Sequence, residues 1–498
     1  MQYYLGVDIG TTSVKAVAFS LTGKLLYTQS GFYKMYHPQP DQSEQDPEEV
    51  FAAVVDTCNK IFGLMAKAAP EFISLSSAMH SVMAIDENGK LLCNCIIWAD
   101  NRASAVAESL HATHKAEGYY RATGVPVHAM TPLCKLMWMK KTEPEIYSKA
   151  YKFIGIKEYI FHKLTGLYQV DTSVASATGV LNLATLQWDE DILNELELES
   201  SAFSNLVPPK HIELLKKTNS RSELLLPDGI KVVIGGSDGA LANVGAGAAD
   251  GKTMVVTIGT SSAARIVTSR VKMDGAMRTF CYHITDEMFV VGGAGNNGAI
   301  VLEWLKENIL ETDESYADLF AKAATIEPGS EGLLLLPYLL GERAPLWNSN
   351  ARGVFFGLDI NHSKAHMIRA CMEGVIYGIY SIAKILLENR KVKGIYATGG
   401  FAQSPLWLQM LSDMCNMNVS VTGAVESSAL GAVMVGIQAL HLEPLPVTSF
   451  VTDYAPNAQH HLIYSKNFEK FESIIAALEH MWEAAPVIKP EPIQVKLF

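Results

Sequence analysis

Nothing in these 498 residues reads Gly-x-x-x-x-Gly-Lys-Ser/Thr, so the P-loop is excluded as the means of holding a nucleotide. Positive charge is short: 40 Lys and Arg stand against 52 Asp and Glu, a net charge of -12 with a pI near 5.6. That balance argues against nucleic acid or an anionic membrane surface as partner, and it requires local cations wherever an anionic small molecule binds. Cysteine is thin and scattered, at positions 58, 93, 95, 134, 281, 371 and 415, and the close pair Cys93 and Cys95 lacks a second pair or histidines at zinc spacing. A reducing compartment is the expectation. Apolar runs are short, GLLLLPYLL at 332–340 being among the longest, against the roughly 20 residues of a membrane helix. No basic n-region precedes the first apolar stretch, so a soluble, cytoplasmic protein is expected.

What is present opens with YLGVDIGTTSVKAVAF, residues 4–19. Strand alternation puts Leu5, Val7 and Ile9 on one face and Gly6, Asp8 and Gly10 on the other. One face is therefore bare except for an acid, and the chain then turns at Gly10-Thr11-Thr12-Ser13 into a second strand. The turn offers backbone N–H groups and three hydroxyls, which suit a phosphate. Half a chain later VVTIGTSSAARIV, residues 255–267, repeats it. Thr257 falls on Asp8, Gly259-Thr260-Ser261 on Gly10-Thr11-Thr12, and Ala264 on Lys15. Two similar halves are expected, each opening on a hairpin. Two phosphate turns facing one another need one carboxylate for magnesium, which takes one or two carboxylates together with water and phosphate oxygens. A solvated hairpin with a polar end is the alternative for either turn alone.

Around the hairpins, strand and helix patterns alternate. The pattern predicts a helix over 47–69 with Asp46 as cap and Pro47 at its first position, a strand over 72–77 and a helix from about 101. In the second half it predicts helices over 298–309 and 364–389, a strand over 393–398, a helix from 404, a short strand VSV and a last helix over 427–440. This alternation describes mixed α/β sheets with helices on their faces. VGAGAADGKT, 244–253, reads as a hinge, and APVIKPEPIQVKLF at the carboxyl end as a tail packed on the surface.

Three further stretches carry candidate chemistry. IKVVIGGSDGALANVGAG, 230–247, brings Asp238 to the point where a strand ends and a helix starts, the usual ligand position in open α/β sheets. Gly235, Gly236 and Gly239 beside it allow close approach, and a carboxylate there could accept a proton from an alcohol; a plain helix cap is the other reading. YATGGFAQSPLWLQML, 396–411, sets Gly399 and Gly400 ahead of a helix capped by Ser404, either an anion or adenine site or a tight structural turn. VVGGAGNNGAIVLEWL, 290–305, contains Gly293, Gly295 and Gly298 in dinucleotide spacing between a strand and a helix. The next stretch, ENILETDESYADLFAKAATI, keeps a helical pattern and does not return to a strand ending in an acid, so a turn near the cleft is expected. His80 follows a strand end toward the same crevice, and Arg102 and Arg343 are candidate cations for an acidic substrate.

These residues carry a resemblance. GVDIGTTSVKA resembles the phosphate hairpin shared by sugar kinases, actin and the Hsp70 chaperones. SSAMHS, WADNR, GGSDG, TIGTS, YLLGERAPLWN and TGGFAQS, in that order over nearly the whole chain, resemble the FGGY carbohydrate kinases. Within that family SAMHSV, WADNR, IGIKEYIF and GERAPLWN are most similar to the gluconate-kinase branch, while xylulose kinases share the Met79-His80 pair. The resemblance implies an α/β protein of two RNase H-like (actin/Hsp70-type ATPase) domains with an interdomain cleft. Residues 1–247 would form the sugar-binding domain with the phosphate hairpin, and 248–498 the nucleotide-binding domain. It implies Asp238 as general base, Asp8 as ligand to Mg2+ through water, and Thr11, Thr12, Ser13 and Lys15 as the phosphate hairpin. Gly259, Thr260, Ser261, Gly399, Gly400 and Phe401 would hold ATP, and Met79, His80, Arg102 and Asp238 the sugar. His80, Arg102 and Lys157 are the candidate cations for a substrate carboxylate. The implied reaction is ATP-dependent phosphorylation of a sugar acid, with D-gluconate as acceptor, and a homodimer is the expected assembly. A pentulose kinase, a non-catalytic chaperone-like ATPase and a dehydrogenase built on the glycine triplet are the alternatives.

Overall fold

Both Gly-Thr turns close β-hairpins. In the computed structural model, which describes residues 2–216, 223–388, 390–423, 426–446 and 450–482, Tyr4–Ile9 pairs antiparallel with Ser13–Phe19, and Thr253–Ile258 with Ser262–Thr268. Each hairpin opens a sheet of the same design. In the first, Leu25–Phe32, Ser13–Phe19, Tyr4–Ile9, Ile73–Ser77 and Lys231–Ser237 lie side by side; in the second, Met288–Gly295, Ser262–Thr268, Thr253–Ile258, Gly394–Thr398 and Val419–Thr422 do. In both, the first two junctions are antiparallel and the last two parallel. These are the two similar halves that the repeat suggests and the RNase H-like α/β units that the resemblance implies. The repeat slips at its turn, however. Ile9 faces Val14 across the first turn and Ile258 faces Ser262 across the second, so the second turn is one residue shorter. The partner of Thr257 is therefore Ala263, and not Ala264, which a fixed offset sets against Lys15.

Helix Pro47–Leu64 begins where expected, with Asp46 accepting a hydrogen bond from Glu48 N at 2.8 Å, but it stops short because Ala66 and Lys67 take positive φ. Helix Ser104–Ala112 starts three residues later than expected. Helix Lys364–Leu387 is long and apolar enough to cross a membrane by composition, yet it lines the core of the second unit, with Cys371, Met372, Val375, Ile379 and Leu386 buried. Helix Ser427–Ala439 is not the last: strand Phe450–Tyr454 and helix Ala458–Trp482 follow it. Few of that final helix's residues are buried, Tyr464, Phe468 and Phe471 among them, too thin an apolar stripe to stand out in sequence. The expected surface tail, 485–498, lies outside the described residues.

The bare face of the first strand has a specific cover. Helix Ser427–Ala439, from the second half of the chain, lies on the first sheet, and a Cβ on Gly6 would sit 2.6 Å from Ala429 O. Ser74 Oγ donates to Ala432 O at 2.6 Å. Tyr4, Val17, Phe19, Phe72 and Val233 of the first sheet share one apolar cluster with Leu430, Val433, Val435 and Ile437 of this helix. It also packs on helix Asp238–Gly245 through small residues, and a Cβ on Gly431 would lie 2.0 Å from Leu241 O.

Candidate active site

Asp8 lies beside Ser76 of the parallel neighbour strand, whose Oγ donates to Asp8 Oδ1 at 2.7 Å. The second sheet repeats the arrangement with neutral groups: Thr257 stands beside Thr398, and their hydroxyls share a hydrogen bond of 2.8 Å. Burial, followed by the negative charge of Asp238, raises the Asp8 carboxyl to about 7. Its other oxygen has no hydrogen bond among the described residues, and no group of three His, Cys, Asp or Glu among them forms a ready metal cage. One desolvated carboxylate beside a hydroxyl-rich turn is a donor set that fits magnesium held mainly by water and phosphate oxygens.

The first turn is braced from outside. Gly10 N donates to Ser13 O at 2.9 Å, Tyr33 OH to Gly10 O at 2.6 Å and Trp98 Nε1 to Thr11 Oγ1 at 2.8 Å. The hydroxyls of Thr12 and Ser13 carry no hydrogen bonds among the described residues, and both residues are partly exposed. Lys15, across from Asp8 in the pairing, reaches instead to Glu426 at 2.9 Å and so ties the first hairpin to the second half of the chain.

The second turn serves as a dock. Gly259 O accepts from Ala299 N at 2.7 Å and Thr260 O from Gly298 N at 3.1 Å, while Thr260 itself is exposed and Ser261 partly so. A Cβ on Gly298 would meet Gly259 O and Ser261 O at 2.5 Å. The glycine triplet thus seats a helix start on the hairpin, as the expected turn near the cleft, and does not serve as a dinucleotide fingerprint. Gly399, at φ 94°, lies over the same turn, where a Cβ would fall 2.6 Å from Ile258 O. Gly399 and Gly400 are both exposed. The ring of Phe401 is buried against Trp407 in the second core, centroids 6.2 Å apart, so only its backbone can serve beside the glycine pair.

Asp238 is the first residue of helix Asp238–Gly245, and the cap position belongs to Ser237, so the plain-cap reading does not hold. Gly235, at φ 67°, lies within an irregularity in the pairing of strand Lys231–Ser237, and a side chain there would collide with Leu75 O. Gly239 N donates to Asp238 Oδ1 at 2.6 Å. Burial pushes the Asp238 carboxyl up, opposed by the charges of Arg265, Lys157 and Arg343.

His80, in the left-handed region at φ 66°, donates from Nδ1 to Ala177 O at 2.7 Å, and its Nε2 meets Tyr282 OH of the second sheet at 3.4 Å. Burial, with Lys135 and Arg343 nearby, lowers its pKa to about 3, so the ring is neutral. Met79 packs beside Val125, Ala177, Ala240, Phe280 and Tyr282. The Met-His pair therefore sits where the two halves meet. Arg102 does not reach this place unencumbered: its Nε donates to both oxygens of Asp100 at 2.9 Å and its Nη2 to Glu44 at 2.7 Å. Lys157 is likewise committed, to Asp171 at 2.6 Å and Gly236 O at 3.0 Å. Arg343 stacks on Trp98 at 4.7 Å and donates to Gly295 O at 3.0 Å. Sequence reasoning passed over Trp98, Arg265, Tyr282 and Glu426. A signal existed for Arg265, an arginine set between Ala264 and Ile266 in an otherwise apolar strand, where a charge needs a reason.

Comparison with known proteins agrees with this geometry. Residues 3–245 match the N-terminal domain and residues 254–440 the C-terminal domain of the FGGY family of carbohydrate kinases. The chain is 44% identical to a gluconokinase of Bacillus subtilis over 448 residues, 88% of this chain and 87% of that protein. It is 42% identical to a gluconokinase of Bacillus licheniformis over 494 residues, 96% of each. Solved structures of a ligand-bound xylulose kinase and a gluconate kinase, both from Lactobacillus acidophilus, superpose with TM-scores of 0.93 and 0.92. Each is 35% identical and covers 97% of this chain and 99% of its own. With both domains matched in order, and with paired sheets carrying one acidic and one neutral hairpin, the chain belongs to the FGGY family of carbohydrate kinases.

Proposed function

We propose that this carbohydrate kinase transfers the γ-phosphoryl group of ATP to D-gluconate, giving 6-phospho-D-gluconate and ADP. The observation that carries the reading is the setting of Asp238, a partly exposed carboxylate at the start of a helix against which Arg265 packs, acted on by Arg265, Lys157 and Arg343 while its own charge acts on Asp8. Likeness to two gluconokinases supports the acceptor.

In this reading Asp238 accepts the proton of the terminal hydroxyl as that oxygen attacks the γ-phosphorus; the bond to the ADP oxygen breaks in line, and the proton leaves Asp238 after product departs. The backbone and hydroxyls of Thr11, Thr12 and Ser13 hold the transferring phosphate. Gly259, Thr260, Ser261, Gly399 and Gly400 hold the nucleotide, and Met79 and His80 border the sugar. Asp8 would hold magnesium through water, and that ion would neutralise charge on the phosphates when bound. Asp238 must be ionised to act, so turnover falls as pH drops through its pKa, which burial lifts above the usual carboxylate range. The cytoplasm, with its ATP and reducing conditions, suits a chain whose seven cysteines are all free.

A second acceptor, xylulose, is favoured by the superposed xylulose kinase. A coupled ADP-release assay with gluconate, xylulose, ribulose, glycerol and no sugar separates these readings. Release that needs gluconate is the expected result; release without sugar, or with pentuloses alone, overturns it. Asp238→Asn is expected to lower kcat by about 10² to 10⁴, and near-normal turnover would remove Asp238 from the base position.

A further inference from the structure

The acceptor proposed above carries a carboxylate, and of the cations that the sequence puts forward for it Arg102 is occupied by Asp100 and Glu44, Lys157 is occupied by Asp171 and His80 is neutral, which leaves Arg343. Arg343 stands at the junction of the halves together with a second arginine, Arg265. Arg265 projects from strand Ser262–Thr268 against the helix that Asp238 begins, so closely that a Cβ on Gly239 would lie 3.1 Å from its Nε and Nη2. It is only partly buried, and its guanidinium has no hydrogen bond or ion pair among the described residues, Asp238 included. Arg343 is 8% exposed, holds its Cζ 4.7 Å from the Trp98 ring centroid and spends Nη2 on Gly295 O, and its buried Nε has no hydrogen-bond partner among the described residues. An unpartnered N–H on a buried guanidinium is costly unless something arrives to accept it. Both arginines act on Asp238 and on the Tyr282 hydroxyl, which meets His80, so they border the same space. Trp98 also donates to Thr11 Oγ1, so Arg343 stands close to the phosphate hairpin as well. Glu342 is the carboxylate that acts most on Arg343, but its oxygens accept from Asn296 N, Arg343 N and Asn297 Nδ2, so the Arg343 Nε and the Arg265 guanidinium stay as donors that an uncharged sugar would not neutralise.

We propose that Arg265 and Arg343 form the clamp for the substrate carboxylate and set the preference for an aldonate over a neutral sugar. The proposal rests on the gluconate reading, and its test separates the two. Arg265→Gln, at the more accessible of the pair, is expected to raise KM for gluconate about 10- to 100-fold, the usual loss for a charge-assisted hydrogen bond, while KM for ATP stays within about twofold. Arg265→Lys should recover part of the loss, and gluconate binding by calorimetry without nucleotide should weaken in parallel. Unchanged gluconate KM and binding in Arg265→Gln would overturn the clamp. A loss confined to ATP would do the same and would assign the guanidinium to the phosphates. Should the unaltered enzyme turn over xylulose but not gluconate, the gluconate reading itself fails. Near-normal ATP KM in the variant also serves as the folding control.

Discussion

Asp8 and Asp238 are two partly exposed carboxylates with different work, and their surroundings set them apart. Asp238 has three cations acting on it, whereas Asp8 has a serine hydroxyl, the negative fields of Asp238 and Glu426, and Lys15 opposing them. With its folded pKa raised from 3.8 to about 7, Asp8 favours the fold most below the unfolded value and loses that contribution as pH rises through 7. Asp8→Asn keeps an acceptor for Ser76 and removes the charge. It is therefore expected to melt roughly a few degrees above the unaltered protein at pH 8 without nucleotide, and within about a degree of it near pH 4. Equal melting at pH 8 would show that Asp8 is not desolvated. The two carboxylates were legible in sequence because Asp8 interrupts an apolar strand and Asp238 directly follows one, each beside glycines. Arg102 was legible as a cation but not as an occupied one, since Glu44, which takes its Nη2, is distant in sequence. Phe401 reads as part of a loop motif, and only packing against Trp407 shows where its ring belongs.

At the scale of elements, the glycines divide into those that shape turns and those that let helices touch. The contact of helix Ser427–Ala439 with helix Asp238–Gly245 is of the second kind, because Gly431 admits Leu241 O and Gly245 admits Ser427 O. Gly431→Val forces these backbones apart and is expected to lower unfolding stability by about 1–3 kcal/mol, measured as a shift in denaturant midpoint. The nearby ion pair of Lys15 and Glu426, with the lysine 40% exposed, contributes at most about 1 kcal/mol and does not replace that packing. An unshifted midpoint for Gly431→Val would contradict the close approach. The paired hairpins were readable from a short repeat, and the RNase H-like sheets only through the family resemblance. The slip at the second turn was not, because one residue fewer in a turn leaves hydrophobic alternation intact on either side. Nor was the cover of the first sheet readable, since Gly6 signals that something comes close but not which helix.

For the whole molecule, the halves meet through contacts that a moving cleft would have to carry or break: His80 with Tyr282, Trp98 with Arg343, Lys15 with Glu426. The segment joining them leaves helix Asp238–Gly245 and passes through Gly247 and Gly251, both at positive φ, before strand Thr253–Ile258. A kinase must keep water from taking the phosphoryl group, and closing the cleft over both substrates is the means available to two such halves. Small-angle scattering should accordingly show a smaller radius of gyration with gluconate and a non-hydrolysable ATP analogue together than with either alone. An unchanged radius would leave the halves fixed.

Because the first sheet is roofed by a helix that the chain supplies only at Ser427–Ala439, its outer side stays wet during synthesis until that late segment leaves the ribosome. The amino-terminal half is begun first and finished nearly last, so its sticky strands must wait, exposed to chaperones and to neighbouring chains, for most of translation.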